Sequence, residues 1–464
     1  MRIVKAEAIG HFDRDTKQKR HAIYTLDFQP GGNRLATGGH DSTVKLWNTD
    51  SLLHAGGGAD GPGDEDKADC LLATLSNHTK SVNIVRWSTD GQYLASGSDD
   101  CYILVYRFTP GSYSNSSFGQ PANKESWTRC ATLQGHTMDV LDLDWSPRQL
   151  VASASIDNRV LIWDCKDLCG AERVSHLHAP LRVLALHQNY VKGCSFDPVG
   201  KYLATCGSDN LIILWDCDTW EAAETLSGPM KNTPDRTMFR RLSWSPDGQT
   251  FCASACVKSQ KPVGMVIKRG SWEPAIDLVG HSQTALCCRF CPYVMVSNPP
   301  PVDALSSQSD AASAQAPKPR GRASPTCCVV LGDAVGVVSV WVAHQSKAVC
   351  VLRDIFDSKA SNRAATDISF VRDGKSTIFA VCGMDGSVVI ADVGDEFGTH
   401  MVRHTQQHTH THTRIVFFSL RLSLFLSCSL AHPLPFPLRR KTGGRGSGQA
   451  LQTLLRPRPQ GHAV

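Results

Sequence analysis

The sequence predicts an all-β fold made of repeated small antiparallel sheets, and three observations carry that prediction. The first is the stretch Gln134 to Asp164, QGHTMDVLDLDWSPRQLVASASIDNRVLIWD, which opens on Gly-His and closes on Trp-Asp. Its three apolar runs, VLDLDW, LVASAS and VLIW, are strand-length and rich in β-branched or aromatic residues, with SPRQ and DN supplying the turns. The second is recurrence: runs of the same kind fill His21 to Trp47, His78 to Tyr106 and His187 to Trp215. The third is register. Asp41, Asp100, Asp157 and Asp209 each stand six residues before the closing aromatic, Trp47, Tyr106, Trp163 and Trp215. A hydroxyl, Thr37, Ser96, Ser153 or Thr205, lies four residues before each Asp, and an opening histidine, His21, His78, His136 or His187, lies 20 to 22 residues before it. One unit of this size cannot bury both faces of its sheet, so it needs copies packed beside it.

These residues in this register resemble the WD-repeat family. The resemblance implies a β-propeller and, within each blade, a hydrogen-bonded relay of Trp, Ser/Thr, His and Asp. An indole N–H, a hydroxyl, an imidazole and a carboxylate can satisfy one another's donors and acceptors without water. On that rule units one, three and four are complete, and Tyr106 in the second can keep a hydroxyl contact without the same geometry. Recurring Ser, His and Asp also look like a hydrolase triad. A nucleophile should occur once in a unique pocket, however, and this set recurs at fixed spacing, which reads as architecture.

Taken in order, Arg2 to Ile9 alternates as a short strand ahead of the first Gly-His. In a ring such a strand joins the last blade and removes two exposed sheet edges. His54 to Asp69 and Thr109 to Glu125 are Gly-, Ser- and Asp-rich excursions between strands. The fifth unit starts near Phe239 with RRLSWSPDGQTFCASA, lacks the Asp, and has VIKR where the Trp-bearing strand should end. The sixth has Gly280-His281, CCRFCP and VVSVW, with Val335 at the turn-Asp position, so its relay is expected to be incomplete. A Pro/Ser/Ala-rich break, 293–326, interrupts it as an expected disordered insertion. The seventh unit, DISFVRDGKSTIFAVCGMDGSVVIADV, has Asp385 in register and Ala391 in place of Trp. Seven blades of a WD-repeat β-propeller then fit within 1–398. The remainder, 399–464, contains alternating His-Thr and Ser-Leu without repeat register. Two readings of it stay open: a disordered low-complexity tail, or translated non-coding sequence.

Composition narrows the function classes. The 18 cysteines show no even framework and no pairs at zinc-ligand spacing, and MRIVKAEAIGHFDRD is not a secretory signal, so reduced buried thiols are expected. The formal charge of +5 belongs to the tail: residues 1–398 hold 39 Lys/Arg against 43 Asp/Glu, which gives no support for nucleic-acid binding by the repeats. The apolar run in the tail is short for a membrane span and contains Arg421. No catalytic residue, metal site or cofactor is expected.

The less regular segments are more specific. WSTDGQYLASGSDD, VKGCSFDPVGKYLAT, RLSWSPDG, VIKRGSWEPAIDLVGH, CGMDGSVVIADVGDEFG and the insertion FGQPANKESWTRCATLQGH together resemble the HIRA family of histone regulators over about 1–398. That resemblance implies a non-enzymatic nuclear scaffold, a chromatin regulator that deposits replacement-type histones outside replication. It implies a ubinuclein-like protein bound to the propeller, and histones held with other chaperone-complex subunits. The family's anti-silencing-function chaperone binds a downstream basic motif, and a further C-terminal domain makes oligomers; neither is visible in this sequence. The middle propeller subunit of the replication-coupled chromatin assembly factor is the nearest alternative, and a WD-repeat adaptor of a non-chromatin complex is a second. The residues just before the turn Asp, His40, Asp99, Ile156, Ser208 and Met384, are expected to share one rim and are candidates for partner contact.

Overall fold

The computed structural model describes residues 2–12, 20–54, 70–110, 123–166, 178–296, 325–342, 345, 347–371, 377–393 and 400–402. Seven antiparallel sheets follow one another along the chain. Blade three shows the plan. Val140–Trp145 lies innermost, Leu150–Ser155 and Val160–Asp164 follow outward, and Arg182–Leu184 forms the outer edge. The two middle strands are buried almost throughout, because each blade face is covered by the next sheet. The outer strand is only three residues long, which keeps its open edge short.

The core is seven apolar clusters, each shared between neighbouring blades. Trp87, Leu94 and Leu104 of blade two pack on Ala36 and Leu46 of blade one, and the series runs round to Ile23 and Leu35 of blade one against Ala380 and Ile390 of blade seven. The ring is closed by the N-terminal strand, Arg2–Lys5, which pairs with Val388–Asp392 as the fourth strand of blade seven. The strand stops at Lys5 rather than running to Ile9; Ala6 and Ile9 turn inward and join the core between blades seven and one.

The innermost strands face the ring axis with backbone groups that have no strand beside them. Polar side chains of the preceding blade satisfy them. Asp27 accepts from the Trp87 amide at 2.9 Å, Asp144 from Phe196 at 2.8 Å, Ser243 Oγ from Phe290 at 3.0 Å and Ser369 Oγ from Phe28 at 3.1 Å. One turn of the pleat higher, Thr25, Asp142 and Asp367 do the same for Val85, Cys194 and Leu26. These are the buried donors that would otherwise destabilise an open edge. A bulge near the start of the inner strand recurs in six blades, as between Val82 and Ile84 or Val140 and Asp142, and it re-aims the side chains at the channel.

Two expected boundaries move. The break assigned to 293–326 is narrower, since Ala285–Val296 and Pro325–Asp333 are both strands and pair from Val294 with Cys327 to Val296 with Pro325. Apolar Tyr293–Val296 simply continues the inner strand past a bulge. The expected disorder of 297–324 lies outside the described residues. The segment 399–464 is not wholly outside the fold either: His400–Val402 pairs with Val294–Val296 as a fifth strand of blade six. Extending the inner strand exposes an edge, and this short segment covers it. The rest of 403–464 lies outside the described residues, as does 399.

Candidate functional site

The repeated polar set comes first. In blade three Trp163 Nε1 donates to Ser153 Oγ at 2.9 Å, Ser153 Oγ meets His136 Nε2 at 2.8 Å, and His136 Nδ1 meets Asp157 at 2.9 Å. With the imidazole proton on Nδ1, every donor in this chain has an acceptor. Blade four repeats it through Trp215, Thr205, His187 and Asp209 at 2.8–2.9 Å. Ser153 and Thr205 are fully buried with an indole donating to the hydroxyl, so neither is placed to attack a substrate. The remaining Asp157 oxygen accepts from the Arg159 amide and so holds the tight turn.

Blade two joins His78 to Ser96 at 2.7 Å and to Asp100 at 2.8 Å. The Tyr106 hydroxyl is buried close to Ser96 but makes no hydrogen bond of acceptable geometry. Burial pushes Asp100, Asp157 and Asp209 upward, yet hydrogen bonds and charge from the paired histidines, with backbone N–H groups, hold all three carboxyls below the usual range.

Blade one corrects the expectation for His21. The relay histidine is His11, with Nδ1 2.6 Å from Asp41 and Nε2 2.9 Å from Thr37, which also accepts from Trp47. His21 is half-buried, 5.5 Å ring to ring from His40. Elsewhere the relay histidine precedes the inner strand by four residues, as His136 precedes Val140, whereas His21 precedes Ile23 by two. An excursion follows His11, pinned by the pair Phe12 and Arg20, and brings the chain back beside it. The Gly10-His11 dipeptide was the available signal.

Blade six corrects a second expectation. Its relay is complete but rebuilt: His281 contacts Asp333 at 2.8 Å and Ser339 at 2.6 Å, and Trp341 donates to Ser339 at 2.7 Å. Leu331 holds the position that carries Thr or Ser elsewhere, and Ser339 is its directly paired neighbour on the next strand. Two paired residues on one sheet face lie close enough to exchange a hydroxyl without moving the backbone. Asp333 serves in place of Val335, whose amide it binds at 3.0 Å.

Blade seven keeps the aspartate, Asp385, and replaces the other three members of the polar set. Phe356 occupies the histidine position, since the next residue's amide binds Asp385 at 2.7 Å. Phe356, Val381 and Ala391 then share one apolar cluster. Trp, hydroxyl and His are removed together, and the retained Asp385 keeps partners in the Asp357 amide and Ser387, so the exchange strands no relay atom.

The five rim candidates do share one end of the ring. The backbone N–H of His40, Asp99, Ile156, Ser208 and Met384 each donates to the segment entering the inner strand, at Ala22, Ser81, Asp139, Tyr190 and Ala364. Their exposure differs: His40 is exposed, Asp99, Ile156 and Met384 are half-buried, and Ser208 is buried. Asp99 accepts from Asn83 at 2.6 Å, which ties it into the channel. Sequence reasoning missed that channel's ion network. Arg86 reaches Asp367 through both terminal nitrogens at 2.6 and 3.0 Å, and Arg241 reaches the same carboxylate at 2.7 Å. Burial raises and the two guanidiniums lower the Asp367 carboxyl, to about 2. Each charge sits on a different blade, so no single repeat shows it. Among the described residues no disulfide forms, and burial pushes the Cys165 thiol up to about 12.

Seven sheets closed into a ring, six of four strands and one of five, with the Trp–hydroxyl–His–Asp relay complete in four of them and its hydroxyl–His–Asp part kept in a fifth, define a WD-repeat β-propeller. Residues 16–234 match the family model described as the CAF1B/HIR1 beta-propeller domain. The chain is 35% identical to Protein HIR1 of Cryptococcus neoformans var. neoformans serotype D over 385 residues, 83% of this chain and 40% of that protein. It is 32% identical to Protein HIR1 of Mycosarcoma maydis over 400 residues, 85% of this chain and 35% of that protein. It is 30% identical to Protein hir1 of Schizosaccharomyces pombe over 403 residues, 86% of this chain and 38% of that protein. The chain belongs to the HIR1/HIRA family of WD propeller proteins. It spans about two fifths of the length of these relatives.

Proposed function

We propose that this chain is a non-enzymatic scaffold subunit of a histone chaperone complex, acting in the nucleus in replication-independent nucleosome assembly and transcriptional regulation. The observation that carries the reading is the extent of similarity: 30–35% identity to HIR1 proteins over 83–86% of the chain, too long a match to come from the regular repeats of one or two blades. The structure supports a binding role in a simple way. The recurring Ser, His and Asp groups are consumed inside the blades, which leaves a rigid ring that presents loops on two faces. In this reading a ubinuclein-like protein docks on the rim that carries His40, Asp99, Ile156, Ser208 and Met384. Histones and the other subunits are held largely through that assembly, and the anti-silencing-function chaperone requires a segment downstream of the propeller.

The test is affinity purification from nuclear extract with the full chain, a chain ending at Gln406 and a chain ending at Gly398, at physiological and raised salt. Core histones and a ubinuclein-like protein should be retained by the first two, and His40→Ala should weaken retention without lowering the melting temperature. The chain ending at Gly398 lacks His400–Val402 and should bind the same partner from a slightly less stable ring. Recovery of a ubiquitin ligase or vesicle-coat complex without histones would reject the reading. A second reading is favoured by the matched model's description, which covers CAF1B as well as HIR1. The middle propeller subunit of the replication-coupled assembly factor would co-purify with replication-coupled assembly proteins in place of the ubinuclein-like one.

A further inference from the structure

Opposite the rim described above, the central channel widens into a cavity of about 360 Å3. Pro147, Pro198 and Pro246, each on the turn that leaves an inner strand, and Pro292, at the bulge within the inner strand of blade six, stand around it. Proline offers no N–H, so this wall cannot pair with an incoming β-strand. A ligand must therefore be gripped by a side chain that enters along the axis, and the charges on the floor decide which kind.

Six charged groups line the cavity, and three of them are already committed: Asp197 is paired with Arg269 at 2.9 Å, and Arg86 and Asp27 are held within the ring. The Arg86 fork is turned up the channel onto Asp367. Asp27 is held by Ser369 at 2.8 Å and the Trp87 amide at 2.9 Å, with Arg289 at 3.6 Å. Asp144 differs. One oxygen accepts from the Phe196 amide at 2.8 Å and from Ser195 at 3.2 Å, while no cation lies within 4 Å of the carboxylate among the described residues. The carboxyl is half-buried, and burial pushes its pKa up, as expected for a desolvated charge short of a counterion. Asp247 stands exposed at the edge of the same cavity, again with no cation within 4 Å among the described residues. Arg289 is the single cation left to set against the two.

We propose that this cavity is a binding socket for one cationic side chain, an arginine on an extended peptide segment of a partner, with Asp144 as the principal acceptor. A planar guanidinium can bond the Asp144 carboxylate edge-on, and its methylene stem suits the proline and aromatic wall. A cavity of this size sits at the lower end of the range for small-ligand sites, about 300–1,000 Å3, enough for a side chain and not for a folded element. The site lies on the other face from the rim assigned to the ubinuclein-like partner, so it stands or falls independently of that assignment.

The experiment measures binding of a fluorescein-labelled, end-blocked Ala-Pro-Arg-Pro-Ala peptide to the full chain by polarisation, beside counterparts with citrulline or glutamate in place of arginine. The arginine peptide should bind about tenfold or more tightly than either, the size of one charge-assisted hydrogen-bonded pair. Asp144→Asn keeps an oxygen for the Phe196 amide and should remove that preference without lowering the melting temperature. Asp247→Asn, on the exposed edge, should weaken arginine binding by a smaller factor, and Asp218→Asn on the outer surface should leave it unchanged. Equal affinity for the arginine and citrulline peptides overturns the proposal, as does an unchanged preference in Asp144→Asn. If Asp144→Asn fails to fold, unchanged binding by Asp247→Asn overturns it in the same way.

Discussion

Trp163 and Trp220 show how a residue's register, rather than its type, sets its weight. Trp163 is 1% exposed and donates to Ser153, whereas Trp220 is half-buried at a positive φ of 61° beyond the end of its strand. Trp163→Ala opens a cavity worth about 3–5 kcal/mol, and leaves Ser153 short of a donor for about 1–3 kcal/mol more. Trp220→Ala should cost less than half as much, and thermal or urea unfolding of the two variants measures the difference. Much of this register was legible: Asp157, Ser153 and Trp163 recur at fixed intervals because the turn between two paired strands has fixed length. His11 was not legible by counting back from Asp41, because chain length can be added freely between the histidine and the inner strand without disturbing either. Ser339 was hidden for a different reason. Its role passes across a strand pair, and spacing along one strand does not register a move to its neighbour.

At the scale of the blade, the reason for that transfer is packing. A Cβ placed on Gly264 of blade five would lie 2.3 Å from Leu331 Cδ2, so the leucine fills the space the glycine leaves. Leu331 is committed to the interface between blades five and six, and its neighbour Ser339 supplies the hydroxyl. Gly264→Ala should therefore cost about 1–3 kcal/mol by overpacking, although alanine is ordinarily accepted within a strand. Calorimetry on the variant, alone and with Leu331→Ala, tests the coupling: the double variant should show less than the sum of the two single losses. Blade five itself keeps four strands with no relay. Its mostly apolar, buried runs, FCASACV and VGMVI, fix the sheet, and buried Arg240 and Arg241 anchor it, Arg240 to Gly207 and Asn210 of blade four and Arg241 to Asp367 in the channel.

Across the whole ring, opposed carboxyl shifts predict a two-sided pH profile. Asp100, Asp157, Asp209 and Asp367 have folded pKa values below the unfolded carboxylate value of about 3.9. Their stabilisation is present above that value and is lost as pH falls through the folded ones. Asp142 runs the other way. Burial, only partly offset by Arg241 and Arg86, raises it to about 6. A carboxyl shifted upward favours the folded state when protonated, so stability should rise as pH falls from about 6 toward 4, then drop more steeply below. Denaturant midpoints at half-unit pH steps would trace both limbs, and Asp142→Asn should flatten the first while leaving the second. Asp142 and Asp367 come from blades three and seven and meet Arg86 and Arg241 of blades two and five only at the axis, which is why the sequence shows the relay carboxylates but not this network.

Closure by Arg2–Lys5 also sets a clock on biosynthesis. Val4 pairs with Ile390, so the first strand leaves the ribosome long before its partner exists. At about 5–20 residues per second, that strand waits roughly 20–80 s for the chain to catch up. During the wait blade seven cannot be completed, and the inner strand of blade one lacks the Asp367 and Ser369 contacts that later hold it. A nascent propeller is thus an unlatched arc until almost its last repeat has emerged, and whatever shields the N-terminal strand in that interval decides whether the latch finds its own chain or another.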